Sequence, residues 1–200
     1  MPNTGAVILA AGKSSRLGQP KQLLQFRGQT LVRRIVDAAR EAGCSPVVVV
    51  IGSDKDKVAR ELERTNAVIV ENENWDDGMG TSIRSGVQQL IDIAPDTKAI
   101  VLLVCDQPLV DSDTIEHLIA VGEKTKKAIV ASSYAGTLGV PALFNRSCAE
   151  ELLALDDGSG AKSIILSNQE RVAEFPFSEG QIDIDTAADY DKVRLSEDQI

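Results

Sequence analysis

The sequence predicts an α/β protein with three layers, in which a mostly parallel, Rossmann-like sheet is covered by helices on both faces. The first observation is a set of short apolar runs at residues 6–11, 47–51, 67–70, 100–105 and 128–132. All but the third are almost continuously apolar, which is typical of strands buried on both faces of a parallel sheet. The second observation is that helical patterns alternate with these runs, at residues 30–42, 55–64, 82–93 and 111–125. This βαβα alternation predicts the layered architecture.

Individual residues define some of the element ends. Gly43 is expected to end the first helix, and Asp111 or Ser112 is expected to cap the start of the fourth. After residue 135 the pattern is less regular. We predict further strands at residues 140–144, 171–175 and 182–184, and further helices at residues 146–155, 161–167 and 186–194.

The composition predicts one domain over residues 1–200. The chain is 43% apolar and 26% charged, and its formal net charge is −9. An acidic balance argues against nucleic-acid binding and against an acidic membrane surface. Three scattered cysteines are too few for a disulfide framework, which favours the cytoplasm. The first apolar run is too short for a secretory signal or a membrane span.

The first loop concentrates positive charge at the end of a buried strand. The run at residues 6–11 stops at Gly12, and the loop that follows carries Lys13, Arg16 and Lys21, with no acidic residue before Asp37. The spacing matches neither the P-loop nor Gly-x-Gly-x-x-Gly. A solvated turn is one interpretation. A glycine that admits close backbone approach, next to hydroxyls and cations, favours a polyphosphate ligand.

Two further segments lie where ligands bind in such sheets, beyond the carboxyl ends of the strands. Asp106 directly follows the run at residues 100–105 and is either a turn residue or a ligand-binding carboxylate. Gly78 and Gly80 bracket a tight loop, and Ser82 is predicted to open a helix. That loop is either a glycine turn with a helix cap or part of a binding site.

The pattern Leu-Ala-Ala-Gly-x-Ser-x-Arg-x-Gly-x-x-Lys at positions 9–21 resembles the signature of the MobA-like nucleotidyltransferases. The Ala10-Ala11 pair is more similar to the molybdenum cofactor cytidylyltransferase branch than to the guanylyltransferase branch. The resemblance implies the nucleotide-diphospho-sugar transferase fold and an NTP substrate, with CTP favoured. It implies that Arg16 and Lys21 counter the charge of the departing pyrophosphate. The loop residues implied to bind the nucleotide are Leu9, Ala10, Ala11, Gly12, Lys13, Ser14, Ser15, Arg16 and Lys21.

The same resemblance implies a metal site and a base site. Cys-Asp-Gln-Pro at 105–108 is similar to the motif whose aspartate holds Mg²⁺, so Asp106 is expected to bind Mg²⁺. The segment at residues 183–190 is similar to a second acidic box, which makes Asp185 either a second metal ligand or a helix cap. Asn74, Gly78, Gly80 and Ser82 are implied to face the base and ribose.

An acceptor site is implied by two later segments. Gly139 and Pro141 match a Gly-x-Pro-x-x-Phe strand near the second substrate. Gly160, Ala161 and Lys162 resemble a turn that seats an acceptor phosphate, although a loop with a solvated lysine is the simpler alternative.

The resemblance therefore implies a Mg²⁺-dependent nucleotidyltransferase. Its substrates would be an NTP, with CTP favoured, and a molybdopterin-type phosphate acceptor, and the products would be molybdopterin cytosine dinucleotide and pyrophosphate. A molybdenum hydroxylase is a possible protein partner. Two alternatives stay open: transfer to a sugar phosphate or another small phosphate, and a non-catalytic carrier for the molybdenum cofactor.

Overall fold

A computed structural model of the chain describes residues 3–197 and contains a mixed sheet of seven strands with the order β5-β4-β1-β6-β8-β7-β9. Its strands, together with a separate two-stranded hairpin, are Thr4–Ala10 (β1), Gln25–Phe26 (β2), Gln29–Thr30 (β3), Val47–Ile51 (β4), Val68–Glu71 (β5), Ala99–Val104 (β6), Ile129–Tyr134 (β7), Thr137–Asn145 (β8) and Val172–Pro176 (β9). Within the large sheet, β8 is antiparallel to β6 and β7, and the other pairs are parallel. The predicted, mostly parallel sheet is therefore confirmed.

Helices cover both faces of the sheet. They span Leu31–Glu41 (α1), Lys55–Leu62 (α2), Met79–Ile93 (α3), Ser112–Thr125 (α4), Ala149–Leu153 (α5), Ala161–Ser167 (α6) and Ala187–Glu197 (α7). Val47 and Val49 point into a core cluster with α1, α2 and α4, whereas Val48 and Val50 point into a second cluster with α3, α5 and α6. A strand that packs against helices on both sides must be apolar at every position, which explains the continuous runs. The three predicted layers are confirmed.

Two predicted helix ends are confirmed, at Gly43 and at Asp111, and the structure adds a cap at Thr30 that was not predicted. The Thr30 side chain accepts a hydrogen bond from the backbone N–H of Arg33 and caps α1, and Gly43 follows that helix with φ of 80°. At α4, Asp111 Oδ1 accepts from the backbone N–H of Thr114 at 2.9 Å. These contacts satisfy backbone groups that a helix end leaves without a partner.

Some boundaries differ from the prediction. The predicted strand at residues 182–184 is wrong: Ile184 is buried in a third cluster with Leu24, Phe26, Leu31 and Val193, outside any strand. Its apolar character reflects this packing, and its backbone N–H donates to the carbonyl of Asp106 at 3.0 Å. The prediction that Ser82 opens a helix is also wrong, because α3 begins at Met79.

Two other elements were not predicted as they occur. The predicted helix at residues 146–155 is divided into a 3₁₀ turn at Arg146–Cys148 and the short helix α5. The hairpin of β2 and β3 was not predicted, because two-residue strands carry no readable alternation. Its turn places Arg27 and Gly28 at φ of 49° and 76°. No helix in residues 3–197 has the length and apolar character needed to cross a membrane.

Candidate active site

The chemistry-bearing segments meet at one edge of the sheet, because β1, β4, β5 and β6 all run in the same direction. The loop that carries Lys21 leaves the carboxyl end of β1, and Asp106 follows the carboxyl end of β6. The hydrogen bond from Ile184 to the Asp106 carbonyl brings residues 183–185 to the same edge.

A cation and two carboxylates form the centre of this edge. Lys21 Nζ lies 2.5 Å from Asp106 Oδ2 and 3.1 Å from Asp185 Oδ1. Burial alone would lower the pKa of the Lys21 ammonium, but the charges and hydrogen bonds of the two aspartates outweigh it and raise that pKa above its ordinary value. Lys21 therefore stays charged. The three residues lie far apart in sequence, so the fold itself assembles this cluster.

The carboxylates are chemically suited to a divalent cation. Burial, followed by the charges of Asp185 and Asp106, raises the pKa of Asp183, so a third acidic group is near. In residues 3–197 there is no group of three or more His, Cys, Asp or Glu arranged to hold a metal ion. Two carboxylate ligands are sufficient for Mg²⁺, which takes its remaining ligands from water and substrate phosphates. The oxygen donors of Asp106 and Asp185 fit such an ion.

A cavity of about 240 Å³ adjoins this cluster. The residues that were predicted to bind nucleotide or metal and that line it are Leu9, Ala10, Ala11, Gly12, Lys21, Gly78, Ser82 and Asp106. The residues predicted to bind nucleotide or metal that lie outside its lining are Lys13, Ser14, Ser15, Arg16, Asn74, Gly80 and Asp185. The structure thus brings the end of β1, the end of β6 and the start of α3 around one space.

The loop after β1 is open at its start and fixed near its end. Gly12 is exposed, and an added Cβ would meet no protein atom within 4 Å, so nothing internal to the described chain requires glycine there. Ser14 Oγ accepts from the backbone N–H of Lys21 at 2.7 Å, which fixes the far end of the loop. Lys13, Ser15 and Arg16 lie between these points with their side chains exposed.

The comparison with known proteins identifies the family. Residues 6–172 match the family model described as the MobA-like NTP transferase domain. The chain belongs to the MobA-like NTP transferase family. This result confirms the predicted family and the predicted enzyme class, a nucleotidyltransferase.

Relatives of this MobA-like chain carry different names. It is 29% identical to the purine catabolism protein PucB of Bacillus subtilis strain 168 over 199 residues, which cover 94% of each chain. It is 36% identical to the nicotine blue oxidoreductase of Paenarthrobacter nicotinovorans over 121 residues, but that match covers 60% of this chain and 57% of the relative. Because the match covers little more than half of that second protein, it does not extend that protein's activity to this chain.

A solved structure has the same fold over almost the whole chain. Rv0371c from Mycobacterium tuberculosis H37Rv superposes with a TM-score of 0.84 at 30% identity, over 97% of this chain and 98% of that one. A second structure of Rv0371c, in complex with manganese, superposes with a TM-score of 0.78 at 28% identity, over 97% and 99% of the two chains. The predicted nucleotide-diphospho-sugar transferase fold is confirmed.

Gln22 is a buried residue of this cavity that the sequence analysis missed. It is 1% exposed, and its Nε2 donates to the carbonyls of Ala10 and Gly12 at 2.9 and 2.8 Å. Gln22 thereby fixes the backbone on both sides of Ala11. The sequence offers one signal for this role, the position of Gln22 next to Lys21. Glutamine is seldom fully buried, so its burial was not expected from the sequence.

We expect Gln22→Ala to lower the free energy of unfolding by about 1–3 kcal/mol, because the buried carbonyl of Ala10 loses its hydrogen-bond partner. Urea unfolding of the purified protein measures this change. Gln19→Ala is the matched control, since Gln19 is exposed in the same loop. Equal stability of the two variants would contradict the role of Gln22.

The asparagine side chain that contacts the first turn of α3 is that of Asn72, which was not predicted. Asn72 is buried, and its Nδ2 donates to Thr81 Oγ1 at 2.8 Å and to Ser82 Oγ at 2.9 Å. Asn74 is exposed and lies outside the cavity lining, while Trp75 and Met79 line it. Asn72 directly follows β5, a position that could have pointed to it.

The predicted nucleotide loop and the predicted acceptor turn are interlocked. The backbone N–H of Gly80 donates to the Asp157 carbonyl at 2.8 Å. A Cβ at Gly78 or Gly80 would overlap backbone atoms of Asp157 and Asp156. Arg84 also donates to the Leu155 carbonyl and pairs with the Asp157 carboxylate. The close approach of the Asp156–Asp157 backbone therefore explains why positions 78 and 80 are glycine.

Gly80→Ala tests the interlock. Helix propensity favours alanine in α3 by up to about 1 kcal/mol, but overlap with the Asp156 carbonyl costs more because backbone on both sides must move. We expect a net loss of about 1–2 kcal/mol in the free energy of unfolding, measured in urea. Gly158→Ala is the matched control. It has open space around its Cβ and is expected to change stability by no more than about 0.5 kcal/mol.

The predicted acceptor residues lie in two places. Gly160 precedes α6, Ala161 is buried in its first turn and Lys162 is exposed beside it. A Cβ at Gly160 would lie 3.3 Å from Met79 Sδ, so this turn borders the cavity. Gly139 and Pro141 belong to β8, and Gln107 Nε2 joins that strand to the Asp106 loop by donating to the Val140 carbonyl at 3.1 Å.

Cys105 lines the cavity but is unsuited to act as a nucleophile. Burial, with the nearby charge of Asp106, raises the pKa of its thiol to about 12. A thiol with this pKa stays protonated at neutral pH, and the thiolate is the reactive form. Cys105 is a packing residue of the core cluster on the α1 side of the sheet.

Proposed function

We propose that this MobA-like chain transfers a cytidylyl group from CTP to the phosphate of a molybdopterin-type acceptor, with Mg²⁺, and releases pyrophosphate. The observation that carries the proposal is the contact of Lys21 with both Asp106 and Asp185 beside the cavity lined by residues 9–12. A fixed cation and two carboxylates at the end of buried strands suit a metal-bound triphosphate.

In the proposed reaction, an oxygen of the acceptor phosphate attacks the α-phosphorus of the nucleotide. The bond from that phosphorus to the oxygen bridging the β-phosphate breaks, and pyrophosphate leaves with its electron pair. The new phosphoanhydride joins the two substrates. A phosphate oxygen is already ionised, so no general base is required, and the protein contributes positioning and charge neutralisation.

Arg16 and Lys21 are the proposed groups that neutralise the leaving pyrophosphate. The largely exposed stretch from Gly12 to Arg16 is the proposed binding segment for the triphosphate, because the open space at Gly12 admits phosphate close to the backbone. Lys13, Ser14 and Ser15 complete that segment, and Leu9, Ala10 and Ala11 form the adjoining cavity wall.

Asp106 and Asp185 are the proposed metal ligands. The metal, when bound, adds positive charge against the phosphates. The manganese complex of Rv0371c supports a divalent cation in a similar protein. Lys21 holds the two carboxylates near each other through its own contacts.

The proposed base site and the proposed acceptor site both border Met79. Ser82 and Gly78 line the cavity and are proposed to face the base and ribose together with Gly80 and Asn74, which lie outside the lining. Gly160, Ala161 and Lys162 are proposed to receive the acceptor phosphate, and Gly139 and Pro141 to border it. Preference for CTP is supported by the Ala10-Ala11 pair. We also propose a cytoplasmic location and delivery of the product to a molybdenum hydroxylase.

A panel of the four NTPs with Mg²⁺ and purified molybdopterin tests the proposal through pyrophosphate release. We expect release with CTP, and several-fold less with the other nucleotides. Release only with sugar 1-phosphates would favour the alternative acceptor class. Absence of pyrophosphate with every nucleotide and acceptor would favour a non-catalytic carrier and overturn the proposal.

A further inference from the structure

A second cavity, of about 220 Å³, lies at the edge of the sheet opposite the candidate active site. It is lined by Thr4, the first residue of β1, by Ala99, the first residue of β6, and by Asn145, the last residue of the antiparallel strand β8. The carboxyl ends of β1 and β6 instead carry the Gly12 loop and Asp106. The seven residues of β1 span about 20 Å. A molecule in this cavity is therefore separate from the proposed nucleotide.

The floor of this cavity is apolar. Ala99, Ile119 and Leu143 line it, and all three are buried in the core cluster on the α1 side of the sheet. Gly122 of α4 also lines it, and an added Cβ at Gly122 would overlap the Leu143 side chain. The glycine thus allows α4 to approach β8 closely, so the floor is already formed without a ligand.

Positive charge surrounds the apolar floor. The lining holds Lys98, Lys126 and Lys127 against one carboxylate, that of Glu123, although the whole chain has a formal net charge of −9. Lys127 Nζ donates to the Glu170 carbonyl at 2.6 Å. Within residues 3–197, neither Lys98 nor Lys126 forms an ion pair with a carboxylate. Two unpaired ammonium groups beside an apolar floor suit an anion with an apolar body.

Lys126 occupies a backbone position that favours glycine. It follows α4 with φ of 56°, in the left-handed region, and its backbone N–H donates to the Gly122 carbonyl at 3.0 Å. Glycine is the usual residue at such a helix end, because a Cβ is sterically disfavoured there. Lys124 already places a cation in the last turn, where it offsets the helix dipole. A lysine at position 126 therefore adds a charge at the cavity that glycine would not supply.

The size of the cavity limits the ligand. Drug-sized molecules occupy pockets of about 300–1,000 Å³. An apolar cavity of about 150 Å³ holds one benzene ring. The cavity of about 220 Å³ therefore fits a single ring that carries a small charged group, and it is too small for a nucleotide.

We propose that this cavity binds a small aromatic monocarboxylate. The ring packs on the floor formed by Ala99, Ile119 and Leu143, and the carboxylate accepts hydrogen bonds from the ammonium groups of Lys98 and Lys126. This site lies apart from the proposed reaction, so the inference does not depend on the proposed function.

The test follows para-fluorobenzoate by fluorine NMR while the full chain is titrated into it. We expect saturable binding by the wild type and a Kd about tenfold higher or more for the double variant Lys98→Ala/Lys126→Gly, because charged hydrogen bonds are lost. The fold is expected to persist, since Lys98 is exposed and the backbone at position 126 favours glycine. Lys124→Ala is the matched control. Lys124 is exposed in α4 but outside the lining, so this variant is expected to bind as the wild type does.

Two further measurements test the charge and the location. The uncharged para-fluorobenzamide has a similar shape and is expected to bind about tenfold more weakly than para-fluorobenzoate. Lys21→Ala, at the opposite edge of the sheet, is expected to leave the Kd for para-fluorobenzoate unchanged. The inference would be overturned by absence of wild-type binding, by equal affinity in the wild type and the double variant, by equal affinity for the amide, or by loss of binding in Lys21→Ala.

Discussion

Asp106→Ala is expected to lower kcat for pyrophosphate release about a thousandfold, which corresponds to ~4 kcal/mol in the activation barrier. Asp106 contacts Lys21 at 2.5 Å at the end of β6 and is the better buried of the two proposed metal ligands, with side-chain exposures of 22% for Asp106 and 44% for Asp185. Its removal would leave Asp185 alone to hold the metal. The measurement is steady-state release of pyrophosphate from CTP at saturating Mg²⁺ and acceptor.

A matched variant distinguishes loss of the site from a change of overall charge. Asp113→Ala removes an exposed carboxylate from the first turn of α4 and is expected to keep full activity. Circular dichroism and urea unfolding of Asp106→Ala check that the fold is intact. A folded Asp106→Ala enzyme with wild-type turnover would remove the metal proposal.

Lys21→Ala is expected to lower the affinity for CTP about 10- to 100-fold and to reduce kcat as well. A charged hydrogen bond is worth about 1.5–3 kcal/mol, and the Lys21 side chain is 15% exposed, so solvent screens its charge only in part. The variant would also leave Asp106 and Asp185 adjacent without their shared cation, which disfavours an incoming triphosphate. Isothermal titration with CTP and Mg²⁺ measures the affinity.

The control for that experiment is Lys124→Ala, which removes an exposed cation from the last turn of α4. Its CTP affinity is expected to equal that of the wild type. Lys21→Arg keeps the charge and is expected to recover part of the lost affinity, although the guanidinium is larger. Unchanged affinity and unchanged rate in Lys21→Ala would reject the role proposed for this residue.

Strands in the middle of the sheet were predictable because burial on both faces fixes their composition. Residues 47–51 were predicted as a strand with the observed ends, and the predicted helix at residues 161–167 coincides with α6. Ile182 and Ile184 show the limit of predicting strands from apolar residues. An apolar residue is buried equally well by packing beneath a loop, and the sequence alone does not distinguish that case from a strand.

Asp106 was predictable because it directly follows a buried strand, whereas Lys21 and Asp185 were singled out through the family resemblance. The structure places Lys21 in contact with both aspartates. Gln22 and Asn72 were missed because their functions are to hold backbone carbonyls and hydroxyls inside the protein. A buried amide has no sequence pattern of its own, since its partners are set by the tertiary fold.

The interlock between the Gly78–Gly80 loop and the Asp156–Gly158 turn has a consequence for protein engineering. Grafting either segment alone from another family member would bring in a backbone that lacks its complementary surface, and at Gly80 any added side-chain atom requires the Asp156 backbone to move. Chimeras meant to change the nucleotide or the acceptor should exchange both segments together with Arg84. In natural sequences, these two stretches are expected to evolve as a pair.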